Sequence, residues 1–237
     1  MGLSFRRIPW FMTLLTAAAI AAFMSLGHWQ WSKGNLRAAQ AEEFEQGGQA
    51  AVPLGTRSLS DVPRFQLVRV TGRLDAAHQF LLDNRTHAGR PGYEVLTPLE
   101  RDGGDLVLVN RGWIPFSGFR ERLPDVSFPS GEAVEITGRV DELPVEGLAS
   151  GRAAPDANAP WPKVTTYPHA AELGAMLGRA VEPRILLLDA REPNGYLREW
   201  QPPGLSADRH WAYGVQWYAF AVLALALWLI LGIRKTS

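Results

Sequence analysis

Cysteine is absent from the 237 residues of this chain. Its absence excludes structural disulfides, thiol redox chemistry, copper carriage by thiolates and covalent haem attachment through Cys-x-x-Cys-His. Net charge is absent as well, because 24 basic residues balance 24 acidic ones. No basic stripe with interleaved aromatics interrupts that balance, so nucleic acid is excluded as a partner. Short catalytic signatures are equally missing. There is no Gly-x-Ser-x-Gly elbow, no His-Glu-x-x-His, no Gly-x-x-x-x-Gly-Lys phosphate loop and no dinucleotide fingerprint. An enzyme is therefore not expected.

Acidic residues are missing from both ends: every Asp and Glu lies between Glu42 and Asp208. Two long runs, 9–26 and 211–233, carry no charge at all, and each meets the length criterion for a membrane-spanning helix. Only basic residues flank them on the outside, Arg6 and Arg7 before the first, Arg234 and Lys235 after the second. The positive-inside rule then puts both termini in the cytoplasm and the intervening segment on the outer side of the membrane. Trp10, Trp29 and Trp31 bracket the first run, and Trp211, Tyr213 and Trp217 open the second, as interfacial aromatic belts do. A cleaved signal peptide is the alternative for the first run. That run exceeds the ~7–15 apolar residues of a signal and lacks a small-residue exit before Gly27-His28-Trp29. The organisation expected is a cytoplasmic N-terminus at 1–8, a span at 9–31, a periplasmic β-rich domain at 32–208, a second span at 209–233 and a cytoplasmic C-terminus at 234–237. This is a multi-pass protein of the inner membrane, in contact with the lipid bilayer.

Between the spans, the stretch 35–49 is rich in Ala and Glu and reads as a polar helix ending at Gly47-Gly48. Beyond it, the segments 65–74, 80–82, 93–99, 105–110, 134–140 and 185–188 are short runs of β-branched, aromatic or leucine residues punctuated by Gly, Pro and Asp. A short helix is expected at 170–177. Val68-Arg69-Val70-Thr71-Gly72-Arg73 returns as Val134-Glu135-Ile136-Thr137-Gly138-Arg139, and Leu81-Leu82-Asp83 returns as Leu187-Leu188-Asp189. That order suggests two related β-halves. Two copies do not make a solenoid, so a small barrel or sandwich with a short helix is the expected domain. The Gly-, Pro- and Ala-rich segment 144–162 reads as a mobile loop.

His78, Asp83 and His87 share one strand-and-turn region, but their spacing matches no zinc pattern and they read as polar turn residues. His169 follows Pro168 and marks the start of the short helix. His28 and His210 differ from these, because one ends the first span and the other opens the second. Antiparallel helices would bring both imidazoles to the outer face of the membrane, where two axial ligands and apolar walls could hold a haem. From His210, the positions Tyr213, Gly214, Trp217 and Ala221 follow one helix face. The small residues there permit close approach of a partner helix or a flat cofactor. Gln30 and Gln216, polar groups at membrane depth, are expected to face protein. The competing view makes both histidines interfacial anchors bonded to lipid headgroups.

Four motifs in order carry a resemblance: Leu26-Gly27-His28-Trp29-Gln30; Gly92-Tyr93-Glu94-Val95-Leu96-Thr97-Pro98-Leu99; Val109-Asn110-Arg111-Gly112-Trp113-Ile114-Pro115; and His210-Trp211-Ala212-Tyr213-Gly214-Val215-Gln216-Trp217-Tyr218. Together they resemble the Surfeit-locus family of cytochrome c oxidase assembly proteins. Lys33 stands where that family often has arginine. The resemblance implies two transmembrane helices around an extracytoplasmic domain, and a part in forming the haem a centre of oxidase subunit I. It also implies His210 as a haem a ligand, with His28 as a second.

Arg111 could reach a haem propionate; the structural alternative pairs it with an acidic residue of its own domain and puts Trp113 in the core. The expected function is assembly of a haem-copper oxidase by binding and transferring haem a. Subunit I is the partner, and the enzyme that makes haem a is a further one. The expected haem site comprises His210, bound to iron, with His28, Tyr213, Trp217 and Arg111. A haem-independent scaffold is the alternative of another class, and a membrane hydrolase is disfavoured by the missing nucleophile motifs.

Overall fold

The computed structural model describes residues 2–5, 8–129, 131–146, 151–202 and 204–236. The chain divides into two compact units, one formed by Met1–Glu42 with Pro202–Ser237 and the other by Glu43–Gln201.

The first unit is a helix pair. Helix α1 runs without a break over Trp10–Gly47, and helix α3 over Ala207–Gly232. Both are long and apolar enough to cross a bilayer, and few residues of their most apolar stretches are buried within the protein. At ~1.5 Å per residue α1 is far longer than a hydrocarbon core of ~30 Å requires. The polar helix expected at 35–49 is present as the continuation of the first span and ends at Gly47. Strands β1 (Gly2–Phe5) and β10 (Ile233–Thr236) pair antiparallel and hold the two terminal segments together.

Small residues decide how these helices meet. Gly27 and Gly34 are buried on α1, Gly214 and Ala221 on α3, and the members of each pair stand seven residues apart. That is the spacing of one seam on helices packed side by side, and small side chains there let the backbones approach. A Cβ on Gly27 would come 2.6 Å from the Tyr218 ring, and one on Gly34 2.4 Å from the indole of Trp211. Further along, Phe23 stacks on Trp217 at 5.8 Å, and Trp228 Nε1 donates to Thr13 Oγ1 at 3.2 Å.

The second unit is the β domain. Its strands are β2 (Val52–Pro53), β3 (Leu67–Leu74), β4 (Phe80–His87), β5 (Arg90–Glu100), β6 (Leu106–Pro115), β7 (Val134–Glu142), β8 (Lys163–Thr165) and β9 (Val181–Leu188), with helix α2 (Ala170–Leu177) between the last two. The strands β3, β7, β9, β6 and β5 form a circuit that closes where β5 pairs with β3. The β6–β9 pair is parallel and the others are antiparallel. The domain is thus a five-stranded barrel of Greek-key type rather than a sandwich, with β2, β4 and β8 as additional strands. Closure removes sheet edges from the five strands that form it.

The repeated phrase explains that closure. Val70 lies opposite Ile136, and Val68 opposite Gly138, so the two copies pair with one another about a local twofold. Gly72 is the last residue of β3 facing β7; the next, Arg73, faces Glu100 of β5. A Cβ at Gly72 would lie 2.4 Å from the Glu100 carbonyl oxygen, so only glycine fits this corner. The expectation of two related β-halves holds for the first pair of phrases and is corrected for the second, which lies in non-equivalent strands. Leu187-Leu188 belongs to β9 inside the circuit, whereas Leu81-Leu82 belongs to β4, outside it between β5 and β8.

Val68, Val70, Leu99, Val107, Val109, Ile136, Val140, Leu186 and Leu188 fill the barrel core. A second cluster under α2 takes Leu96, Leu108, Leu173 and Ile185, so β6 is buried on both faces and reads as a continuous apolar run. The segment 144–162 is also revised. Positions 147–150 lie outside the described residues, but beyond them the segment is tied down. Ala153 pairs with Thr166, and the buried Lys163 donates its ammonium to the carbonyls of Asp156, Ala157 and Ala159 at 2.6–3.0 Å.

Helix α2 begins where expected. Glu172 accepts from the His169 backbone N–H at 3.1 Å and from Arg152. The Arg152 bond is the larger cause holding the Glu172 carboxyl below its ordinary pKa, and the backbone bond follows. A depressed carboxyl contributes stability that is present above its unfolded pKa and is lost as pH falls through the folded one. Glu172→Gln should therefore lower the urea midpoint near neutral pH, and the difference from wild type should vanish in acid. A difference that persists unchanged in acid would show that the ionised carboxylate is not the source.

Candidate functional site

Two sets of side chains stand out, one in each unit. In the helix pair, His210 is half-buried on the first turn of α3, with Nδ1 2.7 Å from Gln30 Oε1 on α1. Gly214, one helical turn further on, faces the same place: a Cβ built there would be in ordinary contact with the Gly27 carbonyl oxygen at 3.4 Å, the Trp31 ring at 3.6 Å and the Gln30 Cβ at 3.7 Å. Trp31 and Trp211 lie 6.3 Å apart beside this point, and Trp211 Nε1 donates to Asn35 Oδ1 at 3.1 Å. The polar atoms of His210 and Gln30 answer one another within an otherwise aromatic and apolar seam.

The other expected residues are distributed unequally around His210. Trp217 is half-buried between Phe23 and Phe220, and Tyr213 is 45 % exposed at the margin of the seam. His28 does not share the seam. It is exposed and makes no hydrogen bond among the described residues, and the α1 residue that meets His210 is Gln30. The rotation of a helix explains this, since the seam runs through Gly27, Gln30 and Gly34 and one residue turns the chain by about 100°. Its place at the end of the first span did not make His28 a neighbour of His210. Gln216 is also exposed, contrary to the expectation that it faces protein.

In the barrel the centre is Arg111, only 1 % exposed. Its Nε donates to Thr97 Oγ1 at 2.8 Å, one terminal nitrogen to the Asn194 carbonyl at 2.7 Å, and the other to Gln79 Oε1 at 2.7 Å and to the Val126 carbonyl at 2.9 Å. Phe128 and Tyr196 lie under the guanidinium at 4.2 and 5.1 Å. Burial lowers the pKa of Arg111 from its ordinary value, and the neighbouring Tyr196 opposes that. Arg111 is held inside its own domain, as the structural alternative has it, but by other partners than the acidic one expected. These acceptors are neutral, not an acidic residue of the domain, and the guanidinium turns into the domain, where it offers no open edge to a propionate.

The stretch Asn110-Arg111-Gly112-Trp113 is strand, beyond the expected strand end at 110. It continues β6, with Trp113 opposite Glu94 and Ile114 opposite Tyr93. Trp113 is half-buried and bridges to Leu197, donating its backbone N–H at 2.8 Å. The Tyr196 N–H donates to the Arg111 carbonyl at 2.7 Å. Gly112 has φ +111°, and a Cβ on it would lie 2.7 Å from the Leu197 carbonyl oxygen, so the close approach of 196–198 demands glycine. This motif clamps the segment 194–198 onto the barrel.

The remaining histidines are accounted for locally. His78 pairs with Asp75 at 2.7 Å, Asp83 with Arg120 at 2.7 Å, and His87 lies 3.7 Å from Glu199. No cluster of three metal-ligating side chains occurs among the described residues. The four motifs thus meet two by two. Those at the span ends join through Gln30 and His210, and those of the barrel join through Thr97 and Arg111.

A pair of apolar helices at the two ends of the chain, with a Greek-key barrel in the sequence between them, defines a membrane-anchored β-barrel protein. The chain belongs to the SURF1 family, whose model matches residues 17–222. It is similar to an uncharacterized SURF1-like protein of Mycobacterium bovis, 28 % identical over 227 residues that cover 92 % of this chain and 81 % of the relative. A SURF1-like protein of Monosiga brevicollis is 26 % identical over 201 residues, 77 % of this chain and 71 % of the relative. The family is linked to cytochrome oxidase assembly, and its members are assembly factors rather than enzymes.

Proposed function

We propose that this protein assists assembly of a haem-copper cytochrome c oxidase by receiving haem a at the helix pair and passing it to subunit I. The observation that carries this reading is the convergence of both span-end motifs on one half-buried imidazole, His210. An imidazole at the end of a membrane helix, beside Tyr213 and Trp217, is the kind of ligand and wall that a haem needs. His28, exposed and without a hydrogen-bond partner, is available as a second ligand only through a change in the helix pair. In this reading both termini are cytoplasmic, the barrel lies in the periplasm and docks on the oxidase, and the enzyme that makes haem a is the donor.

The same contact also favours a second reading. His210 already has a protein partner in Gln30, so it could serve helix pairing alone, in a scaffold that stabilises an oxidase intermediate without haem. The two readings separate on haem content. Wild type and His210→Ala, produced together with the haem a synthesis enzymes and purified in detergent, should differ in pyridine haemochrome spectra, with near-stoichiometric haem in the first and little in the second. Equal haem in both, or none in either, would leave the scaffold as the account.

A further inference from the structure

The side chain that faces His210 is an amide, and an amide has one acceptor atom. Gln30 Oε1 lies 2.7 Å from the imidazole Nδ1, the pairing in which Nδ1 carries the proton and the amide oxygen accepts it. The neutral ring then has its lone pair on Nε2. Metal-ligating histidines use the same division of labour, donating one ring N–H to a neighbouring oxygen while the other nitrogen binds.

The nature of the acceptor matters as much as its position. A carboxylate in place of the amide would draw the Nδ1 proton and make Nε2 a stronger donor to a metal; a neutral carbonyl does so less. The surroundings keep the arrangement in place. Gln30 is half-buried with its stem against Gly214, and Gly27 and Gly34 hold the seam closed on either side of it.

We propose that Gln30 is the positioning residue of His210: it fixes the Nδ1-protonated tautomer, presents Nε2 to haem iron, and keeps this ligand weak enough for release. The proposal rests on haem binding at His210 and adds to it the atom that binds, the residue that orients it and the reason transfer is reversible.

The test begins without haem. In the cofactor-free, detergent-solubilised full chain labelled with ¹⁵N-histidine, the resonances lost in His210→Ala should report a single Nδ1-protonated tautomer. In Gln30→Leu they should move to a mixture. After loading with haem a, Gln30→Leu should bind about 10–100-fold more weakly, the usual loss when an outer partner of a ligating histidine is removed. Gln30→Glu keeps an acceptor at the same reach. It should restore the affinity to wild type or better, lower the midpoint potential and slow haem release to apo-oxidase or a competing apo-globin. If His210→Ala loses haem while Gln30→Leu changes neither tautomer nor affinity, Gln30 has no such role although haem binding at His210 stands. If His210→Ala keeps its haem, the haem reading itself fails, and with it the assignment of Nε2.

Discussion

Arg111→Leu is expected to destabilise the protein by about 3 kcal/mol, near the upper end for a single residue. The four shorter of the five bonds from its guanidinium, at 2.7–2.9 Å, are charge-assisted and made inside the barrel domain. Each such bond contributes about 1.5–3 kcal/mol. Their sum overstates the loss, because removing a buried cation also relieves its desolvation, which the lowered pKa of Arg111 reveals. Gln79 and Thr97 also retain a bond to one another at 2.8 Å. Counting two of the four bonds as net gives the figure above. It corresponds to a fall of roughly 6–12 °C in Tm for a protein of this size, measurable by circular dichroism in detergent. Arg111→Lys should recover only part of it, since one ammonium cannot reach acceptors placed for a planar fork. Proteolysis should quicken within 194–198, where Asn194 and Tyr196 lose their anchor. A leucine variant with wild-type Tm would mean that the apolar contacts of Phe128 and Tyr196 hold this centre and the hydrogen bonds do not.

Arg111 also shows where sequence patterns stop being informative. Its neighbourhood is assembled from Gln79, Thr97, Val126 and Asn194, which no local spacing connects, so a choice between propionate and acidic partner missed the neutral acceptors present. The barrel strands were legible because apolar side chains recur at short intervals in β3, β5, β6, β7 and β9. Their ends were not. β4 was expected to stop at Leu82 but continues to His87, because β5 supplies partners for Arg85, Thr86 and His87 beyond a register shift. β8 and β2, three and two residues long, have too little pattern to register. Charge and aromatic placement put His210 together with the end of the first span, and the contact between His210 and Gln30 agrees with that. Rotation about the helix axis was not used, although the spacing of Gly27, Gln30 and Gly34 contains it, and that spacing would have selected Gln30 over His28.

Gly27→Leu should part the helices at the turn that supports His210. A Cβ here already meets the Tyr218 ring at 2.6 Å, and the three further carbons of leucine have no space along a seam where Gly214 lies against the Gly27 carbonyl. Overpacking of this kind costs about 1–3 kcal/mol, and van der Waals contact between two membrane helices has little hydrophobic driving force to set against it. The cysteine-free sequence allows a direct reading, because introduced cysteine pairs report without background. Cross-linking between Trp31→Cys and Trp211→Cys, whose rings lie 6.3 Å apart, should fall sharply in Gly27→Leu. A pair at Thr13 and Trp228, hydrogen-bonded far along the same helices, should cross-link as before. Loss at both positions would mean that the helix pair has one cooperative contact rather than a local one. In the proposed reading, where His210 binds haem with Gln30 beside it, haem content should fall with the first cross-link. If the helices separate and haem is retained, His210 binds without Gln30 beside it, and the close packing serves the fold alone.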